Sequence, residues 1–431
     1  MERERFANLG IKALPMKIMH SFFTAFLLFL FALPAFGQTP EKTLPGWTHY
    51  SIDPILPGSS WGTGGPALAD YDGDGDLDVA ISRRNTKSAY WYERINDSIW
   101  IQHLMGPGEP LATTLGTTAI DIDHDGWMDV MYNGIWFRNP GILADYPDVP
   151  WEAHPIKAGG HDATTVDIDQ NGVMDILIYD GNKLAWYNTS NALREEIITS
   201  GHNDHGGTAP RGFGDLDGDG DTDVIIPGFW YANPGNTEEE WTEYLWPFTP
   251  VENASYGRSI RAWVADMDRD GQMDIVYSHC DTGGSHVYWV KNMGKGIAWT
   301  SRQLSDPPTR RGNVQGTGSF HSLGVADFNQ DGFLDIFAGE QEDPDTYMES
   351  DGLVAMKPIG LTERGVIWYN NGADFPGFAP KIIKLGNPGW HDAQLGDVDG
   401  DGDVDIVSKV WNADGPTYHL DFWRNELINA E

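Results

Sequence analysis

The residues with the clearest chemical potential are carboxylates that return at fixed spacing. Asp70, Asp72, Asp74 and Asp78 stand at positions 1, 3, 5 and 9 of a nine-residue stretch, with Gly75 at position 6. The pattern D-x-[DN]-x-[DN]-G-x-x-D occurs six more times. Its 1, 3, 5 and 9 positions are Asp121, Asp123, Asp125 and Asp129, then Asp167, Asp169, Asn171 and Asp175, then Asp215, Asp217, Asp219 and Asp223. The last three copies supply Asp266, Asp268, Asp270 and Asp274, Asp327, Asn329, Asp331 and Asp335, and Asp397, Asp399, Asp401 and Asp405. Clustered oxygen side chains around a glycine turn suit a hard cation of high coordination number, so Ca²⁺ is expected at about seven structural sites. The likeness to an EF-hand loop stops at position 12, where a bidentate Glu is required. Here Ile81, Tyr132, Ile178, Ile226, Tyr277, Ala338 and Ser408 stand there, so each loop should feed a strand and not a helix. The shared spacing also argues for a cation over the paired carboxylates of a glycosidase.

Measured from these loops, a second set of residues stands out because it does not repeat. His161, His321 and His391 each lie six residues before a loop, and Asp162 and Asp392 follow two of them. Arg211 and Arg261 lie close to the corresponding places in the fourth and fifth units. Lys409, His279, Glu340, Trp411 and Tyr132 follow the strands that leave the loops. Imidazoles near neutral pKa beside guanidiniums suit proton abstraction next to a carbonyl or carboxylate, with Arg facing the developing oxyanion. His161, His321, His391, Arg211, Arg261 and Lys409 are therefore the candidate catalytic residues, and His279, Glu340, Trp411 and Tyr132 the candidate substrate contacts. Two other readings stand beside this one. A His at the start of an inner strand serves equally well as a hydrogen-bond partner of neighbouring backbone, and imidazoles with carboxylates are competent transition-metal ligands. Cys280 sits beside His279 without any nucleophile motif and reads as a packed thiol.

The elements that must position these groups also repeat. A short apolar strand enters each loop and a second leaves it. A third carries Trp91, Trp136, Trp186, Trp230, Trp289, Trp368 or Trp423, and a more polar fourth strand closes the unit. Asn139, Asn188, Asn233, Asn292, Asn371 and Asn425 follow the tryptophans and should start the next turn. The seventh unit ends before a fourth strand, and Trp47–Ile52 has the missing pattern. Seven four-stranded units with complementary ends predict an all-β fold, a seven-bladed β-propeller closed by its N-terminal strand. The face opposite the acidic loops then gathers the unrepeated residues, with the cleft over blades five to seven and His161 across the channel. Long connections at 305–320, 340–364 and 408–419 lie on that side, the first carrying Arg310 and Arg311.

The formal charge is −36 over 431 residues, which argues against nucleic-acid and anionic-membrane partners. Lys12 and Lys17 precede an apolar run, Phe22 to Leu33, and a small-residue exit at Ala35–Gly37. This is the plan of a secretory signal peptide over residues 1–37, with Met16 or Met19 as alternative starts, a linker at 38–45 and the propeller over 46–431. A retained membrane anchor is the competing reading of the same run. Cys280 is the single cysteine, so an exported chain would rely on calcium in place of disulfides.

The loop, the Asp-apolar strand after it and the Trp-Tyr strand resemble the FG-GAP or VCBS calcium-propeller repeats of secreted proteins, over residues 47–425. That resemblance implies a calcium-stabilised propeller and leaves function open among adhesion modules, lectin-like modules and polysaccharide-active enzymes. In fold and in the residue types on one face the chain is also similar to propeller sugar lyases and to the propeller part of aldos-2-ulose dehydratases. This implies β-elimination on a uronic acid or keto-sugar. Hence two functions are expected: a secreted or periplasmic lyase or dehydratase acting on carbohydrate, or a non-catalytic propeller that binds a glycan or a protein.

Overall fold

The computed structural model describes residues 46–428, apart from 59–61, 84–87, 108–115, 237–238, 253, 255, 308–315, 343–346, 350–351, 355–359, 387–388 and 412–417. The segments read as signal peptide and linker lie outside the described residues, except for Gly46, and so do Arg310 and Arg311. Among the described residues no helix is long and apolar enough to cross a membrane.

Seven four-stranded antiparallel sheets follow one another along the chain. Blade one runs Ala67–Ala69, Asp78–Ser82, Ser88–Asn96 and Ile99–Pro107, and the others keep this order. Blade seven takes its outer strand from the other end of the chain: Trp47–Asp53 pairs with Leu420–Asn425, with Trp47 opposite Asn425 and His49 opposite Trp423. Backbone hydrogen bonds thus close the ring, and Trp47–Asp53 becomes the outer edge strand of blade seven. Blade four departs from the simple plan. Its inner strand is split, and Pro210–Arg211 pairs in parallel with blade five while Phe213–Gly214 stays in its own sheet.

The aspartate at position 9 of each loop explains why the loops feed strands. Asp78 is buried, and its two carboxylate oxygens accept the backbone N–H of Tyr71 and of Arg94 at 3.0 Å each. One side chain therefore ties the loop's second residue to the third strand of the same blade. The equivalent acceptors Asp129, Asp223 and Asp405 receive Asn139, Asn233 and Asn425 in the same way. Those asparagines also lock blades together. The Nδ2 of Asn139 donates to the Tyr71 carbonyl of the preceding blade at 2.8 Å, and Asn233, Asn292, Asn370 and Asn425 repeat the bond. Two positions differ from the sequence reading. The latch in blade six is Asn370, with Asn371 one residue beyond it, and the N–H partner in blade three is Thr189 and not Asn188.

The tryptophans fill the spaces between blades, but not in one common register. In blades one to five the Trp pairs with the residue two beyond the position-9 aspartate, as Trp91 with Ala80 and Trp289 with Val276. In blades six and seven Trp368 and Trp423 pair with Ile336 and Ile406, one beyond it. Because successive side chains alternate, that single step turns both rings toward the preceding blade. Trp289 and Trp368 thus share the core between blades five and six, while Phe422 and Tyr92 fill the space between blades seven and one.

Candidate functional site at the channel mouth

The inner strands surround a cavity of about 220 Å³ on the pseudo-axis, lined by His161, Asp162, Arg261, His321, His391 and Asp392 among others. Asp162 and Asp392 each begin an inner strand, in blades three and seven, and Arg261 lies second in the inner strand of blade five. All three stand five residues before their loops, one step inward of the histidine register, so their side chains meet where the strands converge.

Arg261 is the hub. Its Nη1 donates to Asp162 Oδ1 at 3.2 Å, its Nη2 to Asp392 Oδ1 at 2.6 Å, and its Nε to the His321 carbonyl at 3.1 Å. Asp162 Oδ2 accepts three consecutive backbone N–H groups, from Gly207, Thr208 and Ala209, at 2.7, 3.0 and 3.2 Å. Burial alone would raise the Asp162 carboxyl, but His161 and Arg261 outweigh it and hold the group well below its ordinary value. The remaining Asp162 contact is to His161, whose Nδ1 lies 2.8 Å from Oδ1. An ionised carboxylate on Nδ1 fixes the tautomer and leaves Nε2 as the basic nitrogen. The His161 ring lies 4.6 Å from His205, which stacks on Tyr256 at 4.8 Å.

His321 has a different state. Its Nδ1 donates to the His391 carbonyl at 2.6 Å, and Nε2 lies 3.5 Å from Asp281 Oδ1. Burial and Arg261 disfavour its charge, yet Asp281 and Asp392 more than offset them and raise it to about 9. The His391 ring stacks on it at 3.7 Å and is held neutral by burial and by the charges of His321 and Lys409. Trp411 continues the stack 5.1 Å beyond His391.

The other candidates are placed as follows. Lys409 is fully buried behind Asp392, 2.7 Å from its Oδ2, and is a counter-ion that does not reach the channel. Arg211 is exposed and lines a lower part of the channel with Phe213 and Trp263, away from the histidines. Tyr132 is a core residue, packed edge-on against Phe137 between blades one and two. Glu340 is buried, accepting the Gly318 N–H at 2.8 Å and facing Arg364. His279 is buried with Nε2 bonded to the Thr249 carbonyl at 2.7 Å, and burial pushes it down to about 4. Trp411 is half-buried at the rim, where Glu342 accepts its N–H. Cys280 is buried, and burial with Asp281 beside it raises the thiol. The sequence left Tyr256 unmarked, since it lies in an irregular connection with no repeat to align it.

Among the described residues, the donor sets Cys280–Asp281–His321 and His321–His391–Asp392 are close enough to hold a metal ion. Their electrostatics fit one poorly: Arg261 and Lys409 already compensate Asp392, and His321 carries its own proton. Across the ring the acidic loops fit a cation well. In the first three loops the position 1, 3 and 9 carboxylates bring ligand oxygens within 4.8 Å of one another. Burial pushes Asp78 and Asp405 up to about 8 and Asp129, Asp175, Asp223 and Asp274 up to about 7, a cost that a divalent cation would remove.

Residues 70–132 and 266–338 match the FG-GAP-like repeat family. No curated protein matches the chain by sequence. Among solved structures, a lectin from Agrocybe aegerita described as recognising non-reducing terminal N-acetylglucosamine is 16% identical. The likeness covers 80% of this chain and 90% of the lectin, with a TM-score of 0.51. A fungal alcohol oxidase of the AA5 family, in complex with copper, is 12% identical over 89% of this chain and 76% of its own, with a TM-score of 0.48. The chain is a seven-bladed β-propeller that carries FG-GAP-like repeats at residues 70–132 and 266–338.

Proposed function

We propose that the protein is an exported, calcium-stabilised propeller that acts on carbohydrate as a carbon–oxygen lyase or dehydratase at the channel mouth. The observation that carries this reading is the His161–Asp162 pair: an imidazole oriented through Nδ1 by a buried, ionised carboxylate, at the edge of a solvent-reachable cavity. Nε2 of His161 takes the proton from the carbon next to a carbonyl or carboxylate. The electron pair of that C–H bond forms the new double bond as the C–O bond at the next carbon breaks. His161 then passes that proton to the leaving oxygen, which departs as a hydroxyl and restores the neutral imidazole. Arg261 and the imidazolium of His321 line the same cavity and supply positive charge toward the enolate. Calcium is assigned to the acidic loops as a staple, far from this step. Export is supported by Lys12 and Lys17 ahead of the apolar run Phe22 to Leu33.

The test is incubation with uronic-acid polysaccharides and keto-sugars, following the ultraviolet absorbance of the conjugated double bond. Product that disappears in His161→Asn supports elimination. A second reading, glycan binding without turnover, is favoured by the internal compensation of Arg261, Asp162, Asp392 and Lys409 and by the half-exposed Trp411 face. The fold likeness to a lectin agrees with it. Saturable glycan binding with no product across the panel would select that reading over the first.

A further inference from the structure

The seven acidic loops are alike in sequence but not in what faces them. The residue immediately before the N–H partner of the position-9 aspartate, on the third strand, lies beside loop position 3. In blade five it is Lys291, whose Nζ bonds both Asp268 and Asp270. In blade two it is Arg138, whose Nε bonds Asp123 and whose Nη2 bonds Asp125 at 2.6 Å. In blade seven it is Arg424, with Nε 3.1 Å from Asp399 Oδ2. The same register holds Glu93, Asn188, Ala232 and Tyr369 in blades one, three, four and six. None of these is a cation. Asn188 donates a neutral bond to Asp169 at 2.8 Å, Ala232 offers nothing polar, and Glu93 adds a carboxylate near Asp72.

Assuming the calcium reading above, we infer that this one register position sorts the loops into two affinity classes. Blades two, five and seven carry a resident side-chain cation on the carboxylates that a divalent ion would use. Calcium must displace that charge before it can bind. Blades one and four leave position 3 open and bind most tightly, with three and six between. The strongest resident is Lys291, because its partner Asp268 is wholly buried while the Arg138 head is more than one-third exposed. A propeller sorted in this way keeps part of its ring neutralised without calcium and part dependent on it.

Full-length protein, stripped by chelator and dialysed, is titrated with Ca²⁺ alone by calorimetry, with bound calcium counted by elemental analysis. The expected wild-type isotherm has distinct tight and weak classes. Lys291→Met gains one tight equivalent, and Arg138→Gln, more exposed and less exposed to folding defects, moves one weak equivalent toward the tight class. Ala232→Lys loses one tight equivalent. Thermal melts in calcium establish that each variant is folded. Indistinguishable sites with all three variants unchanged would overturn the sorting while leaving calcium binding intact. A wild type that binds no calcium would remove both.

Discussion

Nη2 of Arg261 lies 2.6 Å from Oδ1 of Asp392, a residue 131 positions further along the chain and two blades away. With Asp162 on Nη1, the guanidinium joins blades three, five and seven across the axis of the ring. Separation along the chain hides that meeting, while distance from the acidic loops reveals it, since all three residues stand five before their loops. It follows from strand register, because equal distances from each acidic loop place side chains at equal heights around the channel.

Removing this guanidinium should be costly. In Arg261→Met, Asp162 and Asp392 keep their burial and lose their common counter-ion, and breaking a buried pair costs about 3–5 kcal/mol. Urea unfolding measures the loss, and Asp392→Asn in the same background should restore part of it. A loss under about 1 kcal/mol, the scale of an exposed pair, would contradict the hub role.

The charge state of His321 sets a pH dependence. Its folded value is raised to about 9, so its contribution is complete below the ordinary histidine value near 6.5 and is lost as pH rises through about 9. Melting temperature should therefore decline between about pH 7 and 9. Asp281→Asn removes the carboxylate that sustains the charge and should flatten that slope. The same slope in wild type and variant would mean that His321 is not the titrating group.

The interblade latch is testable at a residue far from the channel. Asn139 Nδ2 donates to the Tyr71 and Met128 carbonyls at 2.8 and 3.0 Å and is buried. Asn139→Ala leaves both acceptors unpaired, and the expected loss is about 1–3 kcal/mol. Asn371→Ala, on the residue that the sequence suggested for blade six, should be near neutral, and Asn370→Ala should cost as much as Asn139→Ala. Equal losses at 370 and 371 would contradict the register described above.

Chelation should lower the melting temperature markedly, because the position-9 carboxylates are buried in every blade and the loops hold many like charges. Calcium restores the melt, and magnesium, smaller and demanding octahedral geometry, restores less of it. An unchanged melt after chelation would count against calcium as the staple.

Much of this fold is written in the chain because its signals repeat. Seven acidic loops, seven following strands and the orphan strand at Trp47–Asp53 give blade number and ring closure directly. Repetition also misled. Trp368 and Trp423 look equivalent to Trp91, and only strand pairing reveals the one-residue step that turns them to the other face. At the channel mouth the sequence marked His161, His321, His391 and Arg261, since they break the repeat. It could not rank Lys409, Glu340, His279 or Tyr132, because burial depends on packing across blades. Asp162 was visible only as the neighbour of His161, although three backbone N–H groups and Arg261 converge on it.

The proposed function turns on one role, that of His161, oriented by Asp162, as the base of an elimination. Its most direct measurement is the rate of double-bond formation, by ultraviolet absorbance, in wild type, His161→Asn and Asp162→Asn, each shown by circular dichroism to be folded. Product is expected in wild type, none in His161→Asn, and a loss of about 10²–10⁴-fold in Asp162→Asn, the range expected for general-base catalysis and its orientation. Undiminished turnover in His161→Asn would contradict it.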